Sequence, residues 1–312
     1  MNLIFCGTPQ FAVPTLEKLV EEEFPIQLVI TNPDEPRGRG HKVQPSPVKE
    51  AAVKHGLAVY QPAKVKTDET REYLSQYHPD AMVIVAYGHI VPQWMIDLPP
   101  LGCINLHASI LPKYRGAAPI AWAIIRGEKE TGITTMKIDA GMDTGDMLLE
   151  RREPIRDDDT TETLGARLSA LGADLMIETL RGLEHGEITP RPQDHDLATL
   201  APRLKKEDGL IDWSLTAEEI ERRVRGLAPW PGAYTPFRGK RLHVWRAEVV
   251  AAAESPNAAP GTLTVEGRRL AAACGEGTQL LLHEVQLEGR KRISAREFMN
   301  GAHVESGETL DS

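Results

Sequence analysis

Cysteine is scarce in this chain of 312 residues: three occur, Cys6, Cys103 and Cys274, far apart and in no C-x-x-C pairing. That argues against a disulfide framework or a zinc ribbon and suits a reducing compartment. Long apolar runs are missing too. No segment approaches the roughly 20 residues of a membrane span. The start, MNLIFCGTPQF, has no basic region and too short an apolar run for a signal peptide. A cytoplasmic protein with no membrane partner is the expectation. Nucleotide-binding motifs are absent as well: Gly7-Thr8-Pro9 is followed by no second and third glycine of a G-x-G-x-x-G, and no G-x-x-x-x-G-K-[ST] occurs. Without H-E-x-x-H or His-x-x-x-His a catalytic zinc has no evident ligands, so no metal is expected. The lack of G-x-S-x-G removes a serine-hydrolase elbow.

What is present describes a globular protein, 41% apolar and 26% charged, long enough for two domains with separate cores. The net charge of −9 discourages a nucleic-acid partner at first sight, since phosphates call for cations. Its distribution qualifies that. From residue 205 onward 15 Lys/Arg face 16 Asp/Glu, so the excess acid lies in the first two-thirds. Local basic clusters remain: Arg37, Arg39 and Lys42; Arg222, Arg223 and Arg225; Arg290, Lys291 and Arg292. Each cluster taken alone reads best as a solvated face.

Across the first 190 residues short apolar runs alternate with helical patterns. Residues 3–6, 26–31, 58–60, 81–85 and 103–106 read as buried strands, and residues 133–138 alternate like a strand that 147–152 could pair with. Residues 32–47 look like a loop, after which Ser46 resembles an N-cap. Near-continuous apolar strands separated by helices predict an α/β fold with a mostly parallel, Rossmann-like sheet. Such sheets place ligands at the carboxyl ends of their strands. Residues 189–203 hold three prolines and no period, and read as a linker. Thr216 with Glu219 then suggests a capping box. Five or so short strands beyond Gly232 suggest a smaller OB-like β-barrel. The predicted organisation is a catalytic domain over 1–189, a linker over 190–206 and the OB-like domain over 207–312.

The chemistry concentrates in residues 103–146. Asn105 and His107 stand at i and i+2 of a strand and so share a face, and Asp143 follows in the loop Gly-Met-Asp-Thr-Gly. An amide NH₂ can donate to the oxyanion of a tetrahedral intermediate. An imidazole can relay a proton near neutrality, and a carboxylate beside it would fix its tautomer and stabilise its cation. If the substrate brings an amine, no protein nucleophile is needed; Cys103, on the same face, is the alternative. Individually these residues are as well explained as turn formers or Asx-turn residues. Together they point to transfer at a carbonyl.

Asn-x-His, then Ser-Ile-Leu-Pro-Lys-Tyr-Arg-Gly over 109–116, then Asp-x-Gly-x-Asp-Thr-Gly over 139–145, resemble the signature of the folate-dependent formyltransferases. The resemblance implies 10-formyltetrahydrofolate as co-substrate, with Asn105 polarising the formyl oxygen, His107 shuttling the proton and Asp143 supporting it. It further implies that Ser109, Ile110, Leu111 and Pro112 line the folate site, with Ala86-Tyr87-Gly88 shaping the pterin pocket. Two features resemble the branch of the family that acts on methionyl-tRNA. One is the insertion over 32–49, whose Arg37, Arg39 and Lys42 would meet the acceptor stem. The other is the C-terminal β domain with Ile-Asp-Trp-Ser over 211–214 and Pro-Trp-Pro-Gly-Ala over 229–233. The implied acceptor is the α-amino group of charged initiator methionyl-tRNA, and a monomer is expected. An amino-sugar nucleotide acceptor would keep the trio, and an RNA-binding protein without activity would leave it idle.

Overall fold

The structure, a computed structural model, describes residues 1–37, 42–250 and 258–310. In chain order it begins with β1 (Leu3–Gly7), α1 (Val13–Glu21), β2 (Ile26–Ile30), a small hairpin of β3 (Glu35–Arg37) and β4 (Lys42–Gln44), and α2 (Pro47–Lys54). Then come β5 (Val59–Tyr60), α3 (Asp68–Ser75), β6 (Ala81–Val85), α4 (Gln93–Ile96), β7 (Cys103–His107) and α5 (Pro119–Ile125). β8 (Glu130–Lys137), β9 (Met147–Pro154), the long α6 (Thr161–Glu184) and α7 (Ala217–Gly226) follow. The last part holds β10 (Ala233–Phe237), β11 (Lys240–Val250), β12 (Leu263–Glu266), β13 (Arg269–Ala273), β14 (Gln279–Leu287), β15 (Ile293–Ser294) and α8 (Ala295–Ala302). Two compact units result: Met1–Gly116 with Glu130–Pro154 and Gly165–Ala201, and Ala117–Lys129 with Ile155–Leu164 and Pro202–Ser312.

The first unit is built on a seven-stranded sheet in the order β5-β2-β1-β6-β7-β8-β9. The first five strands pair in parallel, and β8 and β9 are added by antiparallel pairings that leave only β8 reversed, so the predicted mostly parallel sheet is the one found. Every residue of β1 and β6 is buried, which is why both read as unbroken apolar runs. Strand order reverses between β1 and β6, and ligands of open α/β sheets bind outside the carboxyl ends at such a point. Ser46 caps α2 by accepting from the Lys49 N–H at 3.1 Å.

The sequence reading differs from the structure at several places, three of which are instructive. Within the stretch read as a loop, residues 35–37 and 42–44 pair as antiparallel strands, with Glu35 opposite Gln44, Pro36 opposite Val43 and Arg37 opposite Lys42. Three-residue strands, one of them containing Pro36, are too short to show alternation. The eight-residue α3 buries only Thr70 and Leu74, so its polar sequence carries no visible apolar stripe. The third, α8, is announced by a capping box of Ser294 and Glu297 that the strand-rich texture around it concealed.

The second unit carries an antiparallel sheet in the order β10-β11-β14-β13-β12, with β15 on β14. Its core includes Trp213, whose indole N–H donates to Thr235 Oγ1 at 3.1 Å, and an edge-on pair of Phe237 and Phe298. Thr216 and Glu219 form the predicted capping box on α7. Among the described residues, no helix is long and apolar enough to cross a membrane.

Candidate active site

The carboxyl end of β7 delivers Asn105 and His107, as the i, i+2 spacing requires, and pairing with β6 and β8 holds that end in the sheet. Asn105 is half-buried, and its side-chain amide bonds to no described protein group. His107 is buried, 6% exposed. Its Nε2 lies 2.9 Å from the carbonyl oxygen of Tyr114. A carbonyl only accepts, so Nε2 carries the hydrogen and Nδ1 keeps the basic lone pair. Nδ1 faces Asp143, with Oδ2 3.7 Å away. That separation is too long for a direct hydrogen bond and short enough to stabilise an imidazolium. The carboxylate was expected to fix the tautomer; the hydrogen-bond partner that does so is the Tyr114 carbonyl, while Asp143 Oδ2 accepts from the Gly116 N–H at 2.8 Å.

Both loops are held by backbone geometry. Tyr114 and Asp143 adopt left-handed conformations, φ +61 and +53, which for Asp is common and for Tyr requires support from its surroundings. That support is visible: the Tyr114 N–H donates to Thr199 Oγ1 at 2.9 Å, and Arg115 pairs with residues 199 and 201 through its own N–H and C=O. Gly116, at φ +124, tolerates no side chain, because a Cβ would stand 2.5 Å from the Ala201 carbonyl oxygen.

The four residues expected to line a folate site lie directly after β7. Ser109 is fully buried and its hydroxyl donates to the Lys113 carbonyl at 2.6 Å; Leu111 is buried, and Ile110 and Pro112 are half-buried. Thr134 of β8 staples this stretch by donating to the Ser109 carbonyl at 2.7 Å and accepting from the Leu111 N–H at 3.2 Å. The Ile110 N–H and the Leu111 carbonyl remain without a partner among the described residues. These suit a flat heterocycle that needs one donor and one acceptor at fixed places. The turn after β6 bends through Ala86, φ +47, and Gly88, φ +83, around a buried Tyr87.

Cys103 is no nucleophile. It is buried, its Sγ donates to the Met95 carbonyl, and burial pushes its thiol up to about 12. Arg37 and Lys42 sit opposite each other in the hairpin ladder, and Arg39 lies outside the described residues. The hairpin's base is anchored: Lys49 Nζ donates to Asp34 at 2.6 Å, and Gln61 donates to the Asn32 carbonyl and to Asp34. In the second unit several arginines, Arg225 and Arg292 of the basic clusters among them, are already engaged. Arg225 pairs with Glu221, Arg238 with Glu308, and Arg292 with Glu284, while Arg241 lies over the Tyr234 ring. Sequence reasoning missed Thr134 and Gln193, and gave the buried Arg115 no role although it lies in the 109–116 motif; no motif flags a residue such as Gln193, whose amide donates to backbone carbonyls.

Comparison with known proteins matches the chain in two consecutive stretches. A family model described as "Formyl transferase" matches residues 1–180, and one described as "Formyl transferase, C-terminal domain" matches residues 203–303. A methionyl-tRNA formyltransferase of Koribacter versatilis is 55% identical over 311 residues, covering 99% of this chain and 98% of that protein. One from Solibacter usitatus is 56% identical over 310 residues, with the same coverage. Among solved structures, a methionyl-tRNA formyltransferase from Clostridium thermocellum shares the fold at a TM-score of 0.58 and 20% identity, over 92% of this chain and 98% of that one. A Helicobacter canadensis N-formyltransferase in complex with folinic acid and dTDP-3-aminofucose does so at 0.67 and 19%, over 90% and 98%.

Proposed function

This chain belongs to the formyl transferase family and is a formyl-transferring enzyme, and from that premise we propose its substrates and the work of its residues. The donor is 10-formyltetrahydrofolate and the acceptor is the free α-amino group of charged initiator methionyl-tRNA. For the acceptor, the observation that carries the reading is full-length identity of 55–56% to two proteins named for that reaction. Residues 109–112 hold the folate. The acceptor's nitrogen lone pair attacks the formyl carbon, and Asn105, its amide unclaimed by the protein, donates to the developing oxyanion. His107 Nδ1 takes the proton that the attacking nitrogen sheds, and Asp143 stabilises the resulting imidazolium. Collapse of the intermediate breaks the bond to folate N10, and His107 returns the proton to that nitrogen. The products are the N-formyl amine and tetrahydrofolate. Residues 1–189 carry the chemistry, and the cations Arg37, Arg39 and Lys42 with the domain over 207–312 meet the tRNA. The enzyme acts as a monomer in the cytoplasm.

The test supplies 10-formyltetrahydrofolate with charged methionyl-tRNA, glycinamide ribonucleotide or an amino-sugar nucleotide, and looks for the N-formyl product. Formylation of the tRNA is expected, and its absence sinks the reading. Arg39→Ala should raise the KM for tRNA and lower the salt slope by about one, as loss of one phosphate contact does. An unchanged slope removes the hairpin from the tRNA interface.

A further inference from the structure

We propose that Gln193 is a positioning residue for the proton relay, and that the buried Arg115 locks it in place. Gln193 is 5% exposed and lies beyond α6 in a segment with no regular structure of its own. Arg115 donates from both Nε and Nη2 to Gln193 Oε1, at 3.0 and 2.6 Å. A guanidinium has donors only, so the amide oxygen must face it and the orientation of the amide is settled. The NH₂ group is thereby turned to the other side, where it donates to the Asp143 carbonyl at 2.9 Å and to the Gly145 carbonyl at 2.7 Å. Both hydrogens of the amide end on the backbone of the loop that carries the relay carboxylate.

The four residues close a circuit. Arg115 holds Gln193, Gln193 holds the main chain of Asp143, and the carboxylate of Asp143 accepts from the N–H of Gly116, the neighbour of Arg115. Asp143 is in the left-handed region, so its carboxylate direction depends on what fixes the flanking peptides. Those fixings are Gln193 on one side and Gly116 on the other. The segment bearing Gln193 is itself tied down, because residues 147 and 191 exchange both of their backbone hydrogen bonds. Arg115 has no carboxylate within ion-pair distance among the described residues; its remaining partner is His195 Nδ1 at 3.1 Å. A buried cation without a counter-ion costs free energy, and holding the relay loop in register is what that expenditure achieves.

The inference rests on the role given to Asp143 above, and the experiment separates the two. Gln193→Glu keeps the side-chain shape and the grip of Arg115 but replaces two N–H donors by a carboxylate facing two carbonyls. It is assayed beside the wild type, Asp143→Asn and the double variant, with thermal melting of each. The expected result is a kcat lowered about 10- to 100-fold with both KM values within about threefold, the size of a misplaced catalytic group. In the Asp143→Asn background the same change should cost less than about twofold, since nothing is left to position. Additive losses, or a loss confined to KM, overturn the proposal while leaving Asp143 in its role. An Asp143→Asn enzyme with unchanged kcat overturns both. Should Gln193→Glu not fold, Arg115→Lys, which can keep one bond to Oε1 in place of two, is run through the same cycle against the same criteria.

Discussion

Replacing Asn105 by Ala isolates the oxyanion contribution because of how the amide is housed. It is half-buried and bonds to no described protein group, so truncation strands no buried partner and the usual penalty for an unsatisfied polar atom does not arise. The folded state should therefore lose no more than about 1 kcal/mol. Catalysis should lose far more. One preorganised donor to an oxyanion accounts for roughly 2.7–4 kcal/mol of the barrier, a factor of about 10²–10³ in kcat. The interaction strengthens only as charge develops on oxygen, so kcat and kcat/KM should fall together while KM stays within about twofold. Rapid-quench single turnovers with saturating donor and charged tRNA read the chemical step, and thermal melting reads the fold. Asn105→Asp is the matched control, keeping the shape and removing the donor, and should lose at least as much. A kcat loss under about tenfold, or a defect carried by KM alone, would refute the assignment.

Two further outcomes follow from packing. Gly116→Ala puts a Cβ 2.5 Å from the Ala201 carbonyl in a left-handed conformation; it should cost roughly 2–3 kcal/mol in urea unfolding and lower kcat by shifting the N–H that holds Asp143. A wild-type unfolding midpoint would show that the loop gives way freely. The thiols of Cys103 and Cys274 are pushed up to about 12 by burial, and burial raises Cys6 as well. Only the thiolate reacts, so at pH 8 a fraction of about 10⁻⁴ is available. Native protein should resist a thiol reagent that labels all three cysteines after unfolding, and Cys103→Ala should keep its turnover. Rapid labelling of any native cysteine contradicts the burial argument.

Strands β1 and β6 were legible because each is an apolar run buried on both faces, β2 and β7 because they are mostly so, and the Asn105–His107 pair because period two puts them on one face. Asp143 was legible through its glycine-flanked motif and Gly116 through the 109–116 signature, but not the hydrogen bond between the two. Gln193 was invisible for a physical reason. Its segment has no period and three nearby prolines, so it reads as a linker, while its hydrogen bonds go to carbonyls that every residue possesses. The pairing of residues 35–37 with 42–44 escaped because these strands are too short for alternation to register.

The length of the signature over 109–116 now has a cause. In the tripeptide Tyr114-Arg115-Gly116, the first residue's carbonyl sets the His107 tautomer, the second's guanidinium sets the Gln193 amide, and the third's N–H sets the Asp143 carboxylate. Upstream, Thr134 fixes Ser109 and Leu111 by their main chain. Ile110 packs over Gly132, where a Cβ would lie 2.3 Å from its Cδ1 and 2.2 Å from the Arg151 carbonyl oxygen. A side chain at residue 132 would push Ile110 and the stapled loop away from β8. The three side chains proposed to act in catalysis thus depend on a larger set of residues around them, and most of those act through backbone atoms. Substitutions there should lower kcat with little change in KM, because they misplace the relay without removing a contact to either substrate.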